Sequence, residues 1–251
     1  MTTKFIKQNQ LNNDSLFREA EGLALLNKNI KRYAIPYLRT PEVITVSQSE
    51  LILQHINARP ASSKQMMEFG HGLAELHKIE QCKFGFEHNN FIGLGEQVNC
   101  LTSDWGQFFI EWRLLAQVDK IRNRRVKREF QKVLNKHEKS ILNLIGDYRV
   151  TPSLLHGDLW SGNVLFDESG PWLIDPAVYY GDGEADIAMT KMFGGFSANF
   201  YRAYHEVRPK SEDFLRKMAL YNLYHYLNHY NLFGNSYLDG CRTSLNNALL
   251  A

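Results

Sequence analysis

Leu154-Leu-His-Gly-Asp-Leu-Trp-Ser-Gly-Asn-Val-Leu-Phe-Asp-Glu-Ser-Gly-Pro-Trp-Leu-Ile-Asp-Pro-Ala177 decides how this chain is read. It holds His156-Gly157-Asp158, then Asn163 five residues after the aspartate, then Asp175. Val164-Leu165-Phe166 and Trp172-Leu173-Ile174 have the composition of two short strands, and Asp167 to Pro171 between them is dense in turn formers. A hairpin folded about Ser169 brings Asn163 and Asp175 side by side at its open end, with Asp158 in the loop feeding the first strand. One amide oxygen and two carboxylates then converge. That donor set suits a hard cation such as Mg²⁺ and a phosphate-bearing substrate.

Phosphoryl transfer needs a carboxylate to accept the proton of the attacking hydroxyl, and an Asn and a second Asp to hold metal on the nucleotide phosphates. Asp158-x-x-x-x-Asn163 followed by Asp175 has that order, with Asp-Pro-Ala where protein kinases carry Asp-Phe-Gly. Any one of these residues alone reads as a polar hairpin end. All three at this spacing read as a phosphotransferase site.

His-Gly-Asp-Leu-Trp-Ser-Gly-Asn followed by Ile-Asp-Pro-Ala closely resembles the fructosamine (ketosamine) kinase family, within the aminoglycoside phosphotransferase and choline kinase-like group. Trp160 and the continuation Asp175-Pro-Ala-x-x-Tyr-x-Gly181-Asp-x-Glu184-x-Asp186 narrow the likeness to that family. The resemblance implies an α+β, two-lobed protein-kinase-like fold, with a small β-rich lobe over residues 1–58 and a mainly helical lobe over 59–251. It implies ATP-dependent phosphorylation of a sugar hydroxyl on a ketosamine or related small polyol, with Mg²⁺. Asp158 is then the base, Asn163 and Asp175 the metal ligands, and Trp160 a neighbour of the acceptor. Asp186 is expected to brace the catalytic loop through its backbone.

The bulk properties are those of an ordinary globular protein. The chain has 251 residues, 44% of them apolar and 22% charged, with a formal charge of +2, which gives no electrostatic case for nucleic acid or a basic membrane-binding surface. Cys82, Cys100 and Cys241 show no Cys-x-x-Cys spacing, so a reducing compartment is expected. No apolar run approaches the ~20 residues that span a bilayer, and the first residues lack a signal-peptide core. A soluble cytoplasmic protein is the expectation.

From the N-terminus, Thr3 to Lys7 reads as a strand, and Asn12-Asn13-Asp14-Ser15 as a turn that caps a helix from Leu16 to about Leu26. Val43–Val46 and Leu51–Ile56 read as paired strands, and Ser62 or Ser63 caps a second helix with Phe69, Leu73 and Leu76 on one stripe. By resemblance, Lys7 contacts the nucleotide phosphates and Glu19, with Glu21 as the competitor, holds Lys7. Gln54-His55-Ile56 is then the adenine hinge. Taken without the resemblance, Lys7 reads as a solvated lysine on an edge strand.

One departure stands out. Family members carry further strands and a glycine-containing phosphate loop ahead of the lysine strand, and this sequence begins almost at that strand. A truncated small lobe is therefore expected, with a competing expectation of an inactive relative that only binds nucleotide or a sugar-amine. Gly93-Leu-Gly95-Glu-Gln-Val98 is rejected as a nucleotide loop, since Val98 stands where a third glycine belongs.

Between residues 84 and 113, Asn-x-Ile-Gly, Gln97-x-Asn99 and Trp105-x-x-Phe-Phe resemble a family insert that protein kinases lack. Gln97, Asn99 and Trp105 are candidates to face sugar hydroxyls, against the alternative of an ordered loop docked by its own aromatics. Lys120 to Lys139 is strongly basic, yet its apolar residues recur at helical spacing, so it reads as a helix with a solvated charged face. In the long helix from Glu212 to Phe233, His225 and His229 lack a third metal ligand and read as core or cleft residues. Tyr221, Asn228 and His229 are further candidates for the acceptor cleft.

Overall fold

The structure, a computed structural model, describes residues 3–10, 12–146 and 149–249. Strand β1 (Lys4–Gln8) is followed by helix α1 (Ser15–Arg32), then strands β2 (Val43–Val46) and β3 (Glu50–Gln54). They form an antiparallel sheet in the order β1-β3-β2, with Lys7 opposite Leu51. Leu16, Ala20 and Leu23 on one face of α1 pack on Leu51 and Leu53, as the stripe in the sequence predicts. The helix runs beyond Leu26 because Ile30 continues that stripe and Asn29 turns its amide back onto the Leu25 carbonyl. Its start is held by Asn13, whose side-chain oxygen accepts from the Ser15 N–H.

Helix α2 (Ser63–Leu76) opens on a capping box, with Ser62 Oγ accepting from Gln65 N and Gln65 Oε1 accepting from Ser62 N. Phe69, Leu73 and Leu76 are fully buried. The insert follows as short strands β4 (Phe84–Gly85), β5 (Asn90–Ile92), β6 (Gly95–Gln97) and β7 (Leu101–Thr102). The Gly93-Leu94 segment is the turn of the β5–β6 hairpin, with Gly93 at φ +55°. Helix α3 (Trp105–Phe109) runs through a π-helical stretch, Ile110–Leu115, into α4 (Ala116–Asp119).

The basic segment is helix α5 (Arg124–Ile145), capped by Asn123 and burying Val126, Phe130 and Leu134. Strand β8 (Ser153–Leu155) leads to the catalytic loop and the hairpin β9 (Val164–Asp167) with β10 (Gly170–Leu173). Strand β11 (Tyr179–Gly181) joins β8 and β4 in a second sheet of order β7-β4-β11-β8. Helices α6 (Gly183–Met192), α7 (Ala198–Val207), α8 (Phe214–Phe233) and α9 (Leu238–Leu249) complete the chain.

One apolar core gathers α3, α5, α8 and α9 around Trp105, Phe109 and Leu223. A second places Phe69, Leu73, Phe166, Leu173 and Phe200 beneath the catalytic hairpin. The hairpin is therefore clamped on its core face, and its polar open end is left at the junction with the N-terminal sheet. No helix among the described residues is long and apolar enough to cross a membrane.

Candidate active site

The β9–β10 hairpin does what its sequence predicts. Leu173 pairs with Val164, and Ile174 N donates to Asn163 O at 3.1 Å, so Asn163 and Asp175 flank the open end. Asn163 Nδ2 donates to the Asp158 carbonyl at 2.9 Å and to its carboxylate at 3.1 Å, which fixes the aspartate side chain. Gly157 is at φ +84°, and a Cβ there would stand 2.0 Å from the Ala177 carbonyl oxygen. Only glycine fits that position.

Asp186, at the start of α6, braces the loop as expected. Its carboxylate accepts from His156 N at 2.7 Å and Gly157 N at 2.9 Å, and faces His77 Nε2 at 3.2 Å. Burial would raise this carboxyl, but the hydrogen bond from His77 and the neighbouring groups outweigh it and hold it below the usual carboxylate range. His156 Nε2 donates to Ile174 O at 2.9 Å, tying the catalytic loop to the residue before Asp175.

From the N-terminal side, Lys7 Nζ donates to Glu19 Oε2 at 2.6 Å and reaches Asp175 Oδ1 at 2.9 Å. Glu21 pairs instead with Arg18 and His88, so the choice between the two glutamates falls to Glu19. Burial works against the Lys7 ammonium, yet the two carboxylates outweigh it and raise its pKa. Glu19 is pushed up to about 7, by burial first and by the Asp175 charge next, with Lys7 offsetting only part. Burial likewise pushes Asp158 up to about 7, against the lowering hydrogen bond from Asn163. Burial would raise Asp175, but Lys7, Glu19 and His156 together outweigh it and hold the carboxyl low.

These groups line one cavity of about 290 Å³, together with Trp160 and Pro176. The carboxylates of Glu19, Asp158 and Asp175 face Lys7, with Arg18 also on the wall, and Glu19 Oε1 is buried without a hydrogen-bond partner among the described residues. These hard oxygen donors fit a divalent cation. Among the described residues no cluster of His, Cys, Asp and Glu would hold a metal alone. A cation held at Asn163 and Asp175 would need further oxygen donors to complete its shell.

Other sequence expectations are corrected. Gln97 is buried, its amide donating to Asn90 Oδ1 and the Ala177 carbonyl and accepting from Tyr224 Oη. Asn99 bonds the His88 carbonyl, Asn90 and Arg113. Trp105 is buried and its indole N–H donates to Tyr221 Oη. All three have their polar atoms engaged inside the insert and its helical support, and none lines the cavity. Tyr221 and Asn228 are buried as well. In the hinge segment the Gln54 N–H donates to Glu42 O and the His55 N–H to Thr3 O, so both extend the sheet; Ile56 is buried.

The sequence reading missed Arg18 and the tip of the β5–β6 hairpin, where Phe91, Gly93 and Leu94 reach the cavity wall. Apolar residues on both sides of a positive-φ glycine turn were the available signal. Arg113 stands at the end of the insert. It is fully buried, its guanidinium 4.1 Å from the Tyr179 ring centroid and 4.6 Å from that of Phe108, and it donates to the Val98 carbonyl.

A small antiparallel sheet with one helix, a lysine–glutamate pair, an Asp-x-x-x-x-Asn loop and a hairpin-borne aspartate together define a protein-kinase-like phosphotransferase fold. Comparison with known proteins narrows this. The fructosamine kinase family profile matches residues 1–251, and the chain belongs to that family. A probable ketoamine kinase of Synechocystis sp. is 38% identical over 252 residues, covering 98% of this chain and 82% of its own length. A chloroplastic protein-ribulosamine 3-kinase of Arabidopsis thaliana is 35% identical over 98% of this chain and 76% of its own. A solved Thermobifida fusca structure, named provisionally as a fructosamine-3-kinase, superposes with a TM-score of 0.87 at 29% identity, over 100% of this chain and 86% of its own.

Proposed function

We propose that this protein transfers the γ-phosphoryl group of ATP to a sugar hydroxyl of a ketosamine, of fructosamine or ribulosamine type, or of a related small polyol. The observation that carries this is the meeting of Lys7–Glu19, Asp158, Asn163 and Asp175 around one cavity. Asp158 accepts the hydroxyl proton, and its raised pKa, near the working pH, matches that task. Lys7 contacts the nucleotide phosphates and Glu19 positions it. Asn163 and Asp175 would hold Mg²⁺, which supplies charge neutralisation on the transferring phosphate. The Gln54 and His55 N–H groups are engaged in the sheet and the Ile56 carbonyl accepts from Ala58 N, so the placing of adenine at Gln54-His55-Ile56 is carried by the family likeness alone. Trp160 borders the acceptor.

The division between nucleotide-side lobe (1–58) and helical lobe (59–251) belongs to the same reading, and Arg59 N donating to Phe166 O ties the second lobe to the hairpin from its outset. Free Cys82, Cys100 and Cys241 support a reducing cytoplasm as its location. The competing reading, an inactive relative, finds no support in the relatives, which are matched over nearly the whole chain and are named as kinases.

The test is to supply Mg·ATP and a synthetic ketosamine, following ADP release and the sugar phosphate by ³¹P NMR. Turnover that falls about 10²- to 10⁴-fold in Asp158→Asn is expected for loss of a general base. Full activity in that variant would refute the mechanism, and no turnover of any ketosamine would refute the function.

A further inference from the structure

A run of aromatic rings begins at the catalytic cavity and leads away from it. Trp160, which lines the cavity beside Asp158, meets Phe193 edge to face at 6.1 Å between centroids. Phe193 contacts the His229 ring at 5.3 Å, and His229 contacts Phe233 at 5.5 Å and Tyr237 at 5.0 Å. Trp160, Phe193 and Phe233 are exposed, at 38%, 44% and 59%, and the half-buried His229 and Tyr237 join Phe193 to Phe233. The rings come from the catalytic loop, the end of α6, the last turns of α8 and the segment that follows it. Exposed apolar rings that adjoin one another and run on from a site are surface that a ligand can cover.

The local backbone is shaped to seat these rings. The Trp160 indole lies over Gly162, where a Cβ would stand 2.2 Å from the ring. Behind Phe193, Gly194 and Gly195 take φ of +71° and +93°, and a Cβ on Gly195 would stand 2.4 Å from the Ser161 side chain. The turn carrying Phe193 is thus pressed directly onto the catalytic loop that carries Trp160. His229 Nδ1 donates to the His225 carbonyl at 2.8 Å, which fixes that ring against both Phe233 and Tyr237.

We propose that this aromatic track binds the amine-borne half of the ketosamine and selects for amines carrying an aromatic or extended apolar group. The inference rests on the proposed function. A ketosamine has a polyhydroxyl half and an amine substituent. The carboxylates, Lys7 and Asn163 offer polar partners for the first and for ATP, and what continues outward from Trp160 is ring surface. Flat, rigidly mounted rings gain from stacking and apolar contact with little ordering cost.

The experiment compares fructosyl-phenylalanine with fructosyl-glycine as acceptors for the wild-type protein, Phe233→Ala, Phe193→Ser and, as a control on the same helix, Leu215→Ala, an exposed residue outside the track. The wild type is expected to prefer fructosyl-phenylalanine by about tenfold in kcat/KM, which corresponds to about 1.4 kcal/mol. That preference should fall at least about fivefold in Phe233→Ala and in Phe193→Ser, mainly through KM, and hold in Leu215→Ala. Equal use of both acceptors by all four proteins would overturn the track while leaving the kinase function intact. Phosphorylation of neither acceptor, nor of the ribulosyl derivatives of the same two amino acids, by the wild type would overturn the function and the track with it.

Discussion

Replacing Asp186 by Asn tests the proposition that the catalytic loop is held by its backbone from α6. The carboxylate is 2% exposed and accepts from His156 N, Gly157 N and His77 Nε2 through its two oxygens. An asparagine keeps one acceptor oxygen. If it stays toward His156 and His77, the new NH₂ confronts the Gly157 N–H, donor against donor. One charge-assisted bond is lost, worth about 1.5–3 kcal/mol, and a buried N–H is left without an acceptor at about 1–3 kcal/mol. Removing a buried charge returns part of that, so a net loss of about 3 kcal/mol is expected. Urea unfolding at pH 7 measures it directly. Because Gly157 precedes Asp158, kcat should also fall, and by more than KM for ATP changes. A stability loss below about 0.5 kcal/mol with kcat within twofold of wild type would refute the brace.

Three further outcomes are expected. His225 is buried and neutral, its pKa lowered to about 3 by burial first and by His229 next. The unfolded chain takes up its proton near pH 6.5, so the stability from this group is fully present above 6.5 and is lost as pH falls, about 2 kcal/mol by pH 5; urea midpoints of His225→Leu should lose that part of the acid slope. In Gly162→Ala the new methyl would meet the Trp160 indole at 2.2 Å, and kcat/KM for the acceptor should drop about tenfold or more while KM for ATP stays within twofold; unchanged acceptor kinetics would place Trp160 outside the acceptor site. Lys7→Met removes the ammonium that joins Glu19 to Asp175, and kcat should fall about 10²- to 10³-fold, the scale for losing one donor to developing negative charge; single-turnover rates with Mg·ATP check it.

The parts of the site that could be read in advance are those whose geometry is set within a short stretch of chain. Asp158, Asn163 and Asp175 are related by one loop and one hairpin, and the turn chemistry of Asp167 to Pro171 determines where their ends meet. Lys7 and Glu19 were legible only through the family likeness, since a lysine on an edge strand reads by itself as solvated. The cap at Ser62 or Ser63 and the buried stripe of α2 were legible from local sequence, while the reciprocal Gln65 bond of the capping box was not. Gln97 and Trp105 were not, since the Gln97 amide is bound by the Ala177 carbonyl and Tyr224, and the Trp105 indole by Tyr221, far along the chain. An amide that faces a sugar and one that faces a buried carbonyl look alike in sequence. The hinge erred on register, since whether a strand-end N–H faces a ligand or a neighbouring strand depends on the pairing of β1 and β2 with β3.

The corrected residues still have a role in the site, at one remove. Asp175 sits at φ +52°, a conformation that costs a non-glycine residue energy and that the surrounding structure must hold. On its N-terminal side, Ile174 is bonded from both His156 and Asn163. On its C-terminal side, Ala177 N donates to His156 O, the Ala177 carbonyl accepts from Gln97, and the Val178 carbonyl accepts from Asn90. Gln97 and Asn99 in turn both donate to Asn90 Oδ1, and Arg113 donates to Asn99 Oδ1. The insert is therefore an amide network closed over the residues that follow Asp175. Its amides address carbonyls rather than sugar hydroxyls, and that keeps Asp175 in its strained conformation, facing Lys7.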